Sequence, residues 1–128
     1  MAIRTTAVPR GTTFLQVAIA LQTATIFLQA VSAGLLLTAH YGQVMHSVGA
    51  RVMYGASMLY VLAAVLAWKP GGGSPRPVLN ASGFLALASA QVVLGIAHVP
   101  AVHVPLGILM FGLSVLALAR HRSEAAPS

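Results

Sequence analysis

The chain contains no cysteine and only one acidic residue, Glu124. The first absence excludes disulfides, thiolate-ligated zinc, iron–sulfur clusters and covalent c-type haem attachment. The second removes oxygen-rich cages for calcium or magnesium, and with them paired-carboxylate hydrolysis and carboxylate proton relays. Charge of either sign is scarce. Only 6% of the 128 residues are charged, against about 25% in soluble domains, while 58% are hydrophobic and the mean hydropathy is +0.87. Such a composition describes an integral membrane protein.

A bilayer span needs about 20 mainly apolar residues. Four stretches qualify, at about 14–38, 44–68, 78–97 and 102–119. They predict an all-α fold: an integral membrane four-helix antiparallel bundle made of two hairpins, forming a single transmembrane domain over residues 1–128. Val31-Ser32-Ala33 loosely resembles a signal cleavage site. The run before it is too long for a signal h-region, so a retained first helix is expected. Residues 69–77, rich in Gly and Pro and carrying Lys69 and Arg76, form a solvated loop between the hairpins. The outer turns, Ala39-His40-Tyr41-Gly42-Gln43 and His98-Val99-Pro100-Ala101-Val102, are short enough to force antiparallel neighbours.

The net charge of +6 is spread among these connections. The basic residues do not cluster on one face with interleaved aromatics, so a nucleic-acid partner is not expected. They mark orientation instead. Arg4 and Arg10 precede helix 1, Lys69 and Arg76 lie between helices 2 and 3, and Arg120 and Arg122 follow helix 4. The positive-inside bias then puts both termini and the middle loop in the cytoplasm, with the two short turns outside. The composition suggests the cytoplasmic (inner) membrane of a bacterium with a GC-rich genome, and the lipid bilayer is the first partner.

Against this apolar background stand four histidines in two close pairs, His40 with His46 and His98 with His103. Each pair borders an outer turn. Ionisable groups at membrane depth are expensive and mark sites, and imidazole is both the commonest metal ligand and an axial ligand of haem iron. Histidines confined to aqueous turns or headgroups, binding nothing, are the bland alternative. His121 lies among cytoplasmic basic residues and is expected to be solvated.

The two hairpins share a weak repeat. His46, Met53 and Ser57 recur as His103, Met110 and Ser114 at the same spacing. Two spans per hairpin keep both halves in one orientation, so the repeat is parallel, with a pseudo-two-fold axis along the membrane normal. On each helix the histidine face also carries a small residue one turn deeper, Gly49 or Gly107, and a thioether about 10 Å deeper. Such a face suits a flat macrocycle held through its centre. Ordinary close helix packing by glycine and gap filling by methionine is the plainer reading. Arg51, inside helix 2, either snorkels to lipid phosphate or pairs with a haem propionate or another subunit's carboxylate. Gln22, Thr25, Gln29 and Ser32 form a polar stripe on helix 1, with Gln91 similar on helix 3. These serve as interhelical hydrogen-bonding groups or, less expectedly, orient a ligand histidine.

The stretch Gln91-Val-Val-Leu-Gly95-Ile, a short Pro-containing turn and then His103, together with His46 at the outer end of helix 2, resembles one half of the eight-helix haem A synthase family. The chain also resembles small four-helix bacterial membrane proteins of unassigned function. The first resemblance implies haem held between histidines of the second and fourth helices, here His46 and His103. That family's first half has a glutamate four residues before its helix-2 histidine, where this chain has Gly42, and only one half is present. The resemblance therefore implies haem binding rather than haem A synthesis.

These readings converge on one b-type haem with bis-histidine ligation by His46 and His103, for electron transfer or haem handling. His40 and His98 line its edge, and Gly49, Gly107, Met53, Met110 and Arg51 surround it. The alternatives are copper or zinc held by the four outer histidines, or a cofactor-free accessory subunit of a larger respiratory complex. A redox partner and a homo-oligomer are open in each case.

Overall fold

A computed structural model describes the backbone of residues 10–125 and the side chains of residues 13–124. Arg4 and the Arg10 side chain, used above for orientation, lie outside the described residues. Four helices form: α1 (Arg10–Thr38), α2 (Gly42–Trp68), α3 (Arg76–Ile96) and α4 (Pro100–Ala125). Each is long and apolar enough to cross a membrane. The expected spans are all present, with altered ends. Hydropathy finds the apolar stretch, whereas the helix continues into polar flanks until a turn stops it. Thus α4 runs past Arg120 and Arg122 to Ala125, and the middle loop shrinks to 69–75.

Proline sets two of the starts. Pro75 caps α3, with a second proline in its first turn, and Pro100 opens α4. A proline there gives up an N–H that has no helical partner in any case. The outer turns are tighter than expected, Ala39-His40-Tyr41 and Ala97-His98-Val99. The second closes as a Schellman motif, in which the Val99 and His98 N–H groups donate to the Leu94 and Gly95 carbonyls. His98 holds the left-handed position at φ 54°, where glycine is usual. In the first turn, a Cβ at Gly42 would collide with the Leu35 carbonyl.

Around the bundle, α1 packs on α2 and α4, and α3 packs on α2 and α4, so that α2 and α4 stand diagonally opposed. Alanines 18, 63, 64, 81 and 88 are fully buried where helices cross. Small side chains there let backbones approach, which matters because lipid offers no hydrophobic drive for helix association. Tyr60 and Phe84 pack together in the core and Phe27 and Phe111 at its edge, with ring centres 6.1 and 5.9 Å apart. Every adjacent pair of helices is also joined by a side-chain hydrogen bond. Ser32 Oγ meets His46 Nδ1, Tyr54 Oη meets Ser89 Oγ, His103 Nδ1 meets the Gln91 carbonyl, and the Thr23 hydroxyl donates to the Ser114 carbonyl. Large apolar side chains such as Leu28, Leu37, Val93 and Ile108 point outward, as a lipid-facing surface requires.

Candidate functional site

The repeated faces of α2 and α4 both turn into the bundle. Met53, Met110, Ser57 and Ser114 are buried, and the two methionines belong to one apolar core. His46 and His103 sit above them, half-buried, on diagonal helices. Their ring centres are 6.2 Å apart and their planes meet at 72°. An edge-to-face contact allows this spacing. So does a shared ion: with about 2.0 Å to one nitrogen of each ring, the ring centres fall roughly 6 Å apart.

Both rings are anchored through Nδ1. His103 Nδ1 lies 3.1 Å from the Gln91 main-chain carbonyl, which can only accept, so Nδ1 carries a proton and, in the neutral ring, Nε2 keeps its lone pair. The ring lies beside Gly95, where a Cβ would make an ordinary contact at 3.5 Å. His46 Nδ1 lies 3.0 Å from Ser32 Oγ. The Ser32 hydroxyl donates to the Gln29 carbonyl at 3.0 Å. The Gln29 amide, oriented by its hydrogen-bond network, donates to Ser32 Oγ at 2.9 Å and to the His46 carbonyl at 3.2 Å, and accepts from the Ala50 N–H at 2.8 Å. With its only proton committed, Ser32 accepts from His46 Nδ1, which leaves Nε2 of this ring bare as well. An N–H anchored on a carbonyl or hydroxyl is the usual way of fixing a ligand imidazole.

The two glycines take a different part from the one expected. A Cβ at Gly49 would lie 2.5 Å from the Gln29 side-chain amide, and a Cβ at Gly107 would lie 2.9 Å from Gln91 Nε2. The space beside each glycine therefore holds a glutamine amide from the preceding helix of its hairpin, which extends the internal symmetry to α1 and α3. Gln91 Oε1 is buried without a partner, as are both amide atoms of Gln22. Gln29 and Ser32 thus take up the less expected role of orienting His46, while Gln91 positions His103 through its main chain. No sequence pattern reports a main-chain acceptor.

The remaining sequence-predicted residues lie outside this cluster. His40 is exposed and stacks edge-on against Tyr41, with ring centres 5.3 Å apart. His98 is exposed on the second turn, and Arg51 is exposed on the side of α2 away from His46. Among the described residues no three His, Cys, Asp or Glu side chains converge. Of the four outer histidines, His46 and His103 are brought together, while His40 and His98 stay on the exposed turns. His121, expected to be solvated, is a correction: its side chain is only 13% exposed, because α4 continues past the membrane boundary and keeps this face turned into the bundle.

The fold and site define a four-helix membrane bundle with two anchored imidazoles facing each other across its diagonal. No known protein family, characterised protein or solved structure matches the chain.

Proposed function

We propose that this bundle binds one b-type haem through Nε2 of His46 and His103, at the outer face of a bacterial cytoplasmic membrane. The observation that supports it is the pair of diagonal imidazoles, each locked through Nδ1 with Nε2 bare, at a ring spacing that one shared metal ion allows. The donor set fits haem iron: two neutral nitrogens, no thiolate, and no carboxylate to favour a hard cation. The glutamine amides beside Gly49 and Gly107 would flank the macrocycle, and Met53 and Met110 would close the core beneath it. Among the described residues the propionates would meet no buried Lys or Arg, and they would face the outer turns, where His40 and His98 are.

When bound, the haem supplies one-electron chemistry. His46 and His103 would both ligate the iron, so electron transfer to a partner protein, or haem carriage, suits the site better than oxygen chemistry. The likeness of the 91–103 stretch to half of a haem A synthase agrees with this reading.

Protein purified from haem-supplied cells is expected to show a Soret band and a sharpened reduced spectrum, at one haem per chain. His46→Ala or His103→Ala should abolish it. Ser32→Ala should weaken haem binding by about 10–100-fold, the usual cost of losing a ligand's hydrogen-bond partner. A colourless preparation from cells with ample haem would overturn the proposal.

A further inference from the structure

At the other end of the molecule, a crevice of about 790 Å³ opens between α3 and α4 and reaches inward to Tyr60 and Phe84. These two helices are the most loosely packed neighbours in the bundle. Its wall on α3 runs from Arg76 to Leu87, and its wall on α4 from Glu124 back to Leu113. At 1.5 Å per residue each wall is about 16 Å long. That is close to half of a hydrocarbon core of about 30 Å, the depth of one leaflet.

Its chemistry is graded along that depth. The mouth carries Arg76, Arg120 and His121 against the single carboxylate Glu124, and the inner part is lined by leucine and phenylalanine. Glu124 faces His121, with Oε2 4.0 Å from Nδ1. The opposite ring nitrogen, Nε2, is buried without a partner. Phosphate oxygens or headgroup hydroxyls would satisfy that nitrogen in either tautomer. The volume lies within the roughly 300–1,000 Å³ of pockets that enclose small ligands.

We infer that this crevice holds one anionic phospholipid of the adjacent leaflet, with its phosphate between Arg76 and Arg120 and an acyl chain between α3 and α4. A soluble anion would have no use for the apolar depth, and a zwitterionic lipid would leave the cationic excess uncompensated. Basic pockets between transmembrane helices are a recurrent lipid-headgroup site. The assignment does not depend on the haem proposal, which concerns the opposite end of the bundle.

The test uses delipidated full-length protein in neutral detergent, titrated with phosphatidylglycerol, with phosphatidylcholine of the same chains, and with inorganic phosphate, and read by native mass spectrometry. One phosphatidylglycerol should saturate the protein, at least tenfold more tightly than phosphatidylcholine. Joint substitution Arg76→Gln and Arg120→Gln should remove that preference. Gly83→Phe should weaken lipid binding without changing charge, because Gly83 lines the crevice and a Cβ there meets nothing within 4 Å. Both arginines are exposed, so the arginine variant keeps the core intact and decides the matter even if the phenylalanine variant fails to fold. Equal retention of the two lipids, an unchanged arginine variant, or competition by inorganic phosphate as tight as the lipid would each overturn the inference.

Discussion

At the scale of single residues, the histidines divide by what holds their rings. His46 and His103 are fixed by a hydroxyl and a carbonyl from neighbouring helices, whereas His98 is fixed by its backbone. A left-handed conformation costs a side-chain-bearing residue roughly 1–2 kcal/mol, and glycine returns about 0.5–1 of that through its greater loss of freedom on folding. His98→Gly is therefore expected to stabilise the bundle by about 0.5–1 kcal/mol, seen as a raised melting temperature in detergent, and to leave any haem spectrum intact. A loss of the haem spectrum in a more stable protein would instead make His98 a ligand. The sequence separates the histidines by the depth of their helix faces, because Met53, Met110, Ser57 and Ser114 repeat at helical spacing. It could not show the strain at His98, which depends on a turn two residues shorter than the one expected.

At the scale of helices and hairpins, four spans and their pairing were legible from apolar run lengths and short turns. The ends were not, since helices stop where turn chemistry stops them. The first hairpin depends on the approach of α2 to the end of α1, where Gly42 meets the Leu35 carbonyl. That contact is backbone against backbone and has no flexible end to yield. Gly42→Ala should therefore destabilise the protein by about 1–3 kcal/mol, the usual cost of forcing atoms into a packed site. Detergent-denaturation midpoints measure it, and an unchanged midpoint would show that the turn can open. Any side chain at this position would meet the same carbonyl. Gly49 and Gly107 show where pattern reading ran out: the sequence marks a gap beside each histidine face, but not that a glutamine from the neighbouring helix fills it.

At the scale of the whole molecule, two unlike ends face each other across the membrane. One end has two tight turns with no lysine or arginine and the paired imidazoles just below. The other has Lys69, Arg76, Arg120 and Arg122, with Trp68 under the Lys69 ammonium at 4.4 Å, a boundary anchor of the kind found at membrane interfaces. Arg51 is the exception. It lies nine residues into α2, about 14 Å from its start, and its exposed stem allows the guanidinium to rise toward the headgroups at the histidine end. If the basic end is cytoplasmic, the imidazoles are reached from outside the cell and the lipid crevice belongs to the inner leaflet. The natural absence of cysteine makes the orientation directly measurable. Gln43→Cys, at the histidine end, should react with a membrane-impermeant maleimide in intact cells, while Ser74→Cys, in the 69–75 loop, should react only after permeabilisation. Both positions are exposed, so their labelling reports the side of the membrane they occupy. The reverse pattern would put the histidine pair on the cytoplasmic side, where an electron or haem partner would have to be cytoplasmic too, and would move the anionic-lipid site to the outer leaflet.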